Sequence, residues 1–395
     1  KAGLAITGNT VTFTPAGANA YNGATIQYSQ GGTTKTITLD KNTKTWIIPV
    51  VDDKVTEADI IVTPKSKKPV LAAKNTRYKG TVAKSAITGI EIIDSYNGKS
   101  VQSWDASAAQ DGSVTAYLLS DNKLIIAGIG AGKVIANADS TGAFSGFWNA
   151  ASFTGLNLLD ASNVANMSSM FSYAKVLTDL DVSKFNTSKV TDMSSMFEGC
   201  YAVTGLPVGD FKTSKVTNMD RVFTECKALT SLDVSGWDTS TVTTMSGTFS
   251  YCGALTNDLN LTGWDTSKVT NMEAMYSACD GLTRLNLSGF NTAQVTDMSN
   301  MFGACANLTS VNVSSFDTSR VTDMENMFSC CYKLASLDVS QFNTAQVTKM
   351  GGLFDRCYKL TSLNLGGWDT AKVTSMRYMF NGCRTLRTIK LSKDF

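Results

Sequence analysis

The sequence predicts an α/β solenoid, with one strand and one short helix in each repeat, preceded by an all-β domain of the immunoglobulin-like class. Two observations lead to this fold class. A line of similar sequence recurs from residue 151 to residue 395 with a period of 26 residues, apart from one step of 27. In contrast, four of the five prolines lie in the first seventy residues, among short segments rich in β-branched residues.

The first 150 residues divide into three predicted parts. Residues 1–70 contain the segments "NTVTFTP", "ATIQYSQ", "KTITLDKN", "TWIIPVV" and "ADIIVTP", which are spaced as the strands of a small β-sandwich. Residues 71–85 form a basic linker, which we interpret as solvated rather than as a polyanion-binding strip. Residues 86–150 carry mixed strand signals and are predicted to form a β-rich N-terminal cap on the solenoid.

Residues 151–395 are predicted to form nine stacked units. Each unit contains a valine followed three residues later by a methionine, and the valines are Val164, Val190, Val216, Val242, Val269, Val295, Val321, Val347 and Val373. Six units add a second methionine, and an aromatic residue accompanies it, so the apolar residues lie at i, i+3, i+6 and i+7. This spacing predicts one face of a two-turn helix, with the Thr after each valine as its N-cap. "TNME" (270–273) and "TDME" (322–325) match the capping box.

The second half of each unit predicts a strand. Segments such as "LTSLDVS" alternate with period two, so that Leu232 and Val234 point inward, and an aromatic residue follows. Because one unit alone cannot bury its apolar face, stacked neighbours must supply a continuous core, as in a leucine-rich-repeat-like solenoid. We therefore interpret the repeated residues, methionines included, as structural rather than as a copper site.

The cysteines follow the same repeat. Eight of them lie seven residues after the repeat methionine: Cys200, Cys226, Cys252, Cys279, Cys305, Cys331, Cys357 and Cys383. Pairs of the C-x-x-C type and histidine are absent from the sequence, which disfavours zinc. We predict that the eight are inward and unbridged, since side chains in register point the same way. Cys330, out of register, is predicted to face outward.

Composition argues against catalysis, and no cofactor or metal is expected. Without histidine the chain lacks the usual proton shuttle at neutral pH. "AGIGAGKV" (127–134) resembles a phosphate-binding loop, but Ala127 stands where that loop requires glycine. Asn and Asp recur after the repeat aromatic residue, and we predict Asx turns there rather than calcium ligands. A net charge of +2 gives no reason to expect nucleic acid, and no apolar run is long enough to span a membrane.

The pattern "LTSLDVSGWDTSTVTTMSGTFSYC" resembles the tandem repeat of BspA-like bacterial surface proteins, which are relatives of leucine-rich-repeat proteins. The resemblance covers about residues 151 to 395. It implies an extracellular or cell-surface protein that serves in adhesion or assembly, and it carries over no catalytic residue.

Adhesion to a host or bacterial surface protein or glycan is therefore the predicted function. The alternative is a filament or surface layer that assembles end to end, through the solenoid end or the β-domain. Residues 355–395 hold eight basic and three acidic residues, a local charge of +5. Arginine and tyrosine dominate binding hot spots, so this end is predicted to meet either an acidic surface of another subunit or an anionic host ligand such as a glycosaminoglycan. The predicted partner-binding residues are Tyr332, Lys333, Arg356, Tyr358, Lys359, Arg377, Tyr378, Arg384, Arg387 and Lys390.

Overall fold

The computed structural model of the chain describes residues 68–73, 78–256, 259–393 and 395, together with six strands before residue 67. Those strands are β1 (Leu4–Thr7), β2 (Thr10–Phe13), β3 (Thr25–Gln30), β4 (Thr33–Thr38), β5 (Thr45–Ile47) and β6 (Ile60–Thr63). They form two antiparallel sheets, ordered β1-β2-β5 and β4-β3-β6. Each of the five predicted segments contains a strand. The packing of the two sheets as an immunoglobulin-like sandwich stays a prediction, and residues 74–77 of the predicted basic linker lie outside the described residues.

A five-stranded sheet follows, ordered β12-β7-β10-β9-β8. Its strands and two short neighbours are β7 (Gly89–Ile93), β8 (Gln102–Asp105), β9 (Thr115–Leu118), β10 (Lys123–Ala127), β11 (Val134–Ile135), β12 (Ser152–Thr154) and β13 (Leu159–Asp160). Ile90, Ile92, Leu124 and Ile126 are buried in the sheet. This sheet packs against the first coil of the repeat region, because Phe144 meets Phe153 of β12 edge to face at 4.8 Å.

The repeats stack in parallel. Their strands are β14 (Gly205–Leu206), β15 (Ser231–Leu232), β16 (Arg284–Asn286), β17 (Ser310–Asn312), β18 (Ser362–Leu365) and β19 (Thr388–Leu391), paired in parallel as β14-β15, β16-β17 and β18-β19. A continuous series of parallel bridges also runs from Asp139 through Asn166 to Ser375. Neighbouring coils therefore lie at the strand spacing of about 4.8 Å. Leu232 and Val234 point inward as predicted.

The predicted solenoid of strand plus helix is wrong. The described residues contain no α-helix, and their only helical segments are the 3-10 turns Lys84–Ala86 and Leu156–Leu158. In the segment that was predicted to be helical, alternate N–H groups donate to the next repeat instead of to a carbonyl within the same segment. Met193 N, for example, donates to Asn218 O at 3.1 Å, whereas Met196 N closes a three-residue turn on Met193 O.

Four chains of hydrogen bonds result, and they run the length of the stack. Numbered from the repeat methionine, the N–H groups of positions 0, 2, 4 and 6 each donate to the residue 25 or 26 positions later. From the coil at 139–147 to the repeat of Met376, each chain contains nine such bonds within the described residues, with lengths between 2.6 and 3.2 Å. In this segment the backbones of successive repeats are thus joined to one another by hydrogen bonds along the stack.

This geometry requires two left-handed residues in every repeat. Positions 2 and 6 after the methionine have φ between 51° and 72° in all nine repeats. Glycine, which adopts this conformation freely, occupies only four of the eighteen positions: Gly199, Gly247, Gly352 and Gly382. Each of the other fourteen costs about 1 kcal/mol. The hydrogen bonds to the next repeat offset this cost.

The threonine after each valine is not an N-cap, so that prediction is also wrong. Its backbone N–H and its hydroxyl both donate to the same carbonyl in the preceding repeat, as Thr322 does to Thr296 O at 2.8 and 3.2 Å. A second threonine series is fully buried: Thr187, Thr213, Thr239, Thr266, Thr292, Thr318 and Thr344. These hydroxyls donate to the next repeat, as Thr266 does to Asn291 O at 2.9 Å. Both series hold adjacent coils in register.

The core consists of columns of identical side chains. Met193, Met196 and Phe197 are fully buried, as the apolar spacing predicts, and so are their counterparts in the other central repeats. The rings that follow the second methionine stack coil on coil with centroids 5.4 to 6.0 Å apart between Phe171 and Phe380. Each such ring pair contributes about 0.5–1.5 kcal/mol beyond the burial of its area.

Tyr276 is the one tyrosine in this ring column, and we predict that replacing it with phenylalanine stabilises the protein. Its hydroxyl is buried and has no hydrogen-bond partner among the described residues. An unsatisfied buried hydroxyl costs about 1–3 kcal/mol, so Tyr276→Phe should raise the free energy of unfolding by about 1–2 kcal/mol. Urea denaturation measures this. The reciprocal control, Phe302→Tyr, should lower the free energy of unfolding. Equal midpoints for all three proteins would contradict the prediction.

The two threonine series should differ in their contributions to stability. The hydroxyl of Thr266 donates to Asn291 O and accepts from Asn291 N, both at 2.9 Å, in a buried site. Thr266→Val leaves that N–H unpaired, and we expect a loss of about 1–3 kcal/mol. The matched control is Thr270→Val at an exposed position, where the backbone N–H keeps its bond to Thr243 O. We expect a change below about 0.5 kcal/mol for the control. Similar losses at both sites would refute the distinction.

Candidate partner-binding site

The ten residues predicted to bind a partner fall on more than one surface of the stack. Tyr332, Arg356, Tyr358 and Arg384 form a contact group, here called the terminal cluster, and they flank the cysteines of the last three repeats. Lys333 and Lys359 follow the two tyrosines and are exposed. Two further pairs of residues lie at other repeat positions: Arg377 with Tyr378, and Arg387 with Lys390.

The terminal cluster is a stack of rings and guanidinium groups. The Tyr332 and Tyr358 rings are parallel within 8°, with centroids 4.9 Å apart. The Arg384 guanidinium lies 4.7 Å from the Tyr358 centroid, a cation–π contact that is typical of binding hot spots. The Arg356 and Tyr332 side chains also interact electrostatically. A hydrogen bond with Cys330 raises the pKa of Tyr332.

The backbone explains why these side chains meet. Cys330 and Arg356 occupy the second left-handed position of their repeats, with φ of 59° and 56°. The next repeat has Gly382 there, and a Cβ on it would lie 3.2 Å from Arg356 Cγ and 3.5 Å from the Tyr358 ring. The absence of a side chain at Gly382 therefore leaves room for Arg356 and Tyr358.

The other predicted residues are less well placed to act with the cluster. Arg377 packs on its neighbour Tyr378, with its guanidinium 5.2 Å from that ring, and Tyr378 is 62 % exposed. Arg387 precedes β19, and Lys390 lies within β19 opposite Asn364. Arg356 Nε lies 3.8 Å from Asp355 Oδ2, and the Asp355 carboxylate also accepts a hydrogen bond from Asn381 Nδ2. The cluster nevertheless keeps an excess of positive charge.

A second aromatic and cationic group was missed by the sequence reasoning. It surrounds Lys175, whose ammonium lies 4.1 Å from the Trp148 ring, 6.0 Å from Tyr173 and 5.6 Å from Tyr201. Lys227 covers Tyr201 at 4.5 Å. A hydrogen bond to Glu198 raises the pKa of Tyr173 to about 12, and one to Glu225 raises that of Tyr201.

The position of these residues within the repeat is the signal in the sequence that would have predicted this second group. Lys175, Tyr201 and Lys227 each follow the position of the cysteine ladder, as Tyr332, Tyr358 and Arg384 do in later repeats. In the intervening repeats the two positions beside the cysteine hold small residues or aspartate, with Tyr251 as the exception; the others are Gly253, Ala278, Asp280, Ala304 and Ala306. One edge of the stack thus carries aromatic and cationic residues toward both ends.

The cysteine ladder is structural. All nine cysteines have free thiols, and seven of the eight in register are buried; Cys330 and Cys383 are half-buried. Each registered thiol donates to the carbonyl of the ring residue one repeat earlier, as Cys252 does to Phe223 O at 3.0 Å. Burial raises the pKa of the Cys200, Cys252 and Cys305 thiols to about 12. These groups are therefore unreactive as nucleophiles.

The positions weighed for calcium and for phosphate have structural roles. The predicted Asx turns are present: Asp238 accepts from Ser240 N at 3.0 Å and Asp317 from Ser319 N at 2.9 Å. Asp94 accepts from Gly132 N in the glycine-rich loop at 2.8 Å. In the described part of the chain, no three His, Cys, Asp or Glu residues are close enough to hold a metal ion. The same residues include no helix that could cross a bilayer.

One protein family matches the repeat region three times in tandem. Residues 139–260, 200–312 and 296–393 each match the family described as "Mycoplasma protein of unknown function, DUF285". No curated protein matches the sequence. A leucine-rich repeat protein from Bacteroides ovatus is 16% identical over 71% of this chain and 80% of its own, with a TM-score of 0.28. A leucine rich cell surface protein from Faecalibacterium prausnitzii is also 16% identical, over 74% and 96%, with a TM-score of 0.25.

We predict that the thiols separate into two kinds by their rate of alkylation. Cys330 should react within the native protein, and Cys383 should follow because it is only half-buried. The seven buried thiols should react only on unfolding, because burial suppresses thiolate formation. Mass spectrometry after alkylation without reductant measures the rates, with Cys330→Ser as control. Rapid native labelling of Cys252 or Cys305 would contradict the prediction.

Proposed function

The chain belongs to the DUF285 family, and we propose that it is a non-catalytic repeat protein of the bacterial cell surface or exterior, which adheres to a partner carrying negative charge. The family matches lie in tandem over residues 139–393, so the repeat family recognised in the sequence is confirmed. Nothing in the family description names a ligand. The proposed ligand class is therefore argued from the side chains alone.

The terminal cluster is the observation that carries this proposal. Most exposed positions of the stack hold small polar residues that are engaged in turns or in ladders between repeats. The cluster instead presents two stacked tyrosines with Arg356 and Arg384, the residue types that dominate binding hot spots. Guanidinium groups bind sulfate, phosphate and carboxylate oxygens in a bidentate manner, so an acidic glycan or an acidic protein surface fits this site.

A non-catalytic role is supported by the state of the candidate nucleophiles. The registered thiols are engaged with carbonyls and carry raised pKa values. The loop that resembled a phosphate-binding motif is bound by the chain's own Asp94. Substrate turnover that a single substitution in this chain abolishes would overturn this part of the proposal.

End-to-end assembly into a filament was the alternative, and the geometry at the N-terminal side of the stack does not favour it. The first coil, at 139–147, is covered by other parts of the chain. Lys84 Nζ donates to Ser145 O at 3.1 Å, and Tyr78 packs edge to face on Phe147 with centroids 5.7 Å apart. A second molecule would have to displace these contacts to stack there.

We expect that the double variant Arg356→Ser/Arg384→Ser loses affinity for a sulfated glycan. Each exposed ionic contact contributes up to about 1 kcal/mol at low salt, so roughly tenfold weaker binding is expected, and the difference should shrink as salt rises. Retention on immobilised heparin, read as the salt concentration at elution, measures the effect.

The control has the same net charge. Arg221 and Arg320 are exposed arginines in earlier repeats, and Arg221→Ser/Arg320→Ser removes two positive charges away from the cluster. This control should elute close to the parent protein. If both double variants elute together, net charge governs retention and the terminal cluster is not the site. If the parent itself is not retained at low salt, the anionic glycan proposal is wrong.

A further inference from the structure

The strand face of the central repeats contains an open depression of about 450 Å³ over β16 and β17. Small-ligand sites typically have volumes of about 300–1,000 Å³, so this depression is large enough for a ligand the size of a monosaccharide. Its lining consists of three pairs of residues that lie opposite one another in the two parallel strands: Arg284 with Ser310, Leu285 with Val311, and Asn286 with Asn312.

The depression has an apolar floor and a polar rim. Leu285 and Val311 are each only 9% exposed, whereas the residues on both sides of them in β16 and β17 are exposed. An apolar surface with a few polar groups around it is the usual lining of a small-ligand site. The C–H face of a sugar ring can therefore pack on this floor while the rim contacts its oxygens.

The two asparagines of the rim present hydrogen-bond donors. Asn286 Oδ1 accepts from Ser288 N at 3.2 Å, and Asn312 Oδ1 accepts from Ser314 N at 3.1 Å. Because each amide oxygen is used in its own Asx turn, each Nδ2 group is directed away from that turn. Asn312 Nδ2 makes one long bond of 3.4 Å to Asn286 Oδ1, and Asn286 Nδ2 has no partner among the described residues. The ligand must therefore supply acceptors.

The charge of the rim is positive. Arg284 is the only residue with a charged side chain in strands β14 to β18. A guanidinium group binds a carboxylate through two parallel hydrogen bonds. The repeat after that of Asn312 has Asp338 at the asparagine position, and Asp338 Oδ1 accepts from Ser340 N at 3.0 Å. A ligand carboxylate is therefore favoured near Arg284, two repeats away from Asp338.

The spacing of the two amides fits a sugar ring. Asn286 and Asn312 lie on adjacent strands, which are about 4.8 Å apart. Equatorial oxygens on alternate carbons of a pyranose ring are separated by a similar distance, so both amides can donate to one ring. An isolated carboxylate would leave the floor of Leu285 and Val311 uncovered.

We propose that the depression over β16 and β17 binds a carboxylated sugar, such as a uronic acid residue. Arg284 binds the carboxylate, and Asn286 and Asn312 donate to ring hydroxyls. The face of the ring packs on Leu285 and Val311. This site lies on the strand face of earlier repeats and does not depend on the binding proposed for the terminal cluster. It selects for the shape of a sugar, whereas the cluster selects for negative charge.

The probe is methyl β-D-glucuronide, and the matched control is methyl β-D-glucoside, in which a hydroxymethyl group replaces the carboxylate. Saturation-transfer NMR with the full chain detects binding of each sugar, and titration gives the dissociation constant. We expect the glucuronide to bind at least about tenfold more tightly, because a charged pair with two hydrogen bonds contributes more than a neutral hydrogen bond.

Three variants test the assigned contacts. Arg284→Ser should weaken binding of the glucuronide at least about tenfold, whereas Arg320→Ser, which removes the same charge elsewhere, should not. Asn286→Asp keeps an oxygen for the Asx turn, as Asp233 does at the same repeat position, but it replaces the donor with a negative charge. This variant should lose binding while its thermal midpoint stays unchanged. Asp338→Asn should tighten binding about threefold at low salt.

Three results would overturn the proposal. The first is that no saturation transfer to the glucuronide appears up to its solubility limit, and the second is that the two sugars bind equally well. The third is that Arg284→Ser and Asn286→Asp bind the glucuronide like the parent protein. If the double variant Arg356→Ser/Arg384→Ser loses binding in that case, the sugar lies at the terminal cluster instead.

Discussion

The hydrogen bond from one coil to the next is the interaction on which the rest of the structure depends. Four N–H groups per repeat point along the stack, and this requirement sets the left-handed residues at two fixed positions. Those residues turn the intervening side chains alternately into the core and out to the surface. The inward ones form columns of methionine, ring and thiol, while the outward ones, such as Arg356 and Tyr358, stack in register. The candidate binding cluster is therefore a consequence of backbone geometry, since the same column can hold aromatic residues or alanine without altering the core.

The sequence predicted the inward face correctly and the secondary structure incorrectly, for one physical reason. Met193, Met196 and Phe197 lie on one side in a helix and also in a chain of alternating left- and right-handed turns, so the apolar spacing cannot separate the two. Glycines distinguish them. The two left-handed positions include four glycines: Gly199, Gly247, Gly352 and Gly382. In a helix interior each of these glycines would lower the stability by about 1 kcal/mol relative to alanine. Thr322 is ambiguous in the same way, because a hydroxyl at the start of an apolar helical pattern resembles an N-cap, whereas here it donates to the preceding repeat.

The binding site was predicted in part. The excess of basic residues in the sequence correctly indicated Arg356, Tyr358 and Arg384, which lie in contact. The same excess also led to the inclusion of Arg387 and Lys390, which lie beside or within strand β19. It overlooked Lys175 among its three rings, because the basic and acidic residues there cancel.

The near-identity of the coils has a consequence for folding. A coil can form the same four hydrogen bonds with the repeat two positions away as with the adjacent repeat. A chain that skips one repeat during folding therefore loops out about 26 residues, yet it forms nearly all of the native type of backbone hydrogen bonds. Residues that differ between repeats must therefore enforce the order. Trp237, Trp264 and Trp368 each donate an indole N–H to a valine carbonyl in the preceding repeat, and Lys349 pairs with Asp323 at 2.8 Å. The residues that differ between repeats therefore specify the position of each coil in the stack. A consensus protein with nine identical repeats would be more regular, but it would lose the contacts that disfavour folding in the wrong register.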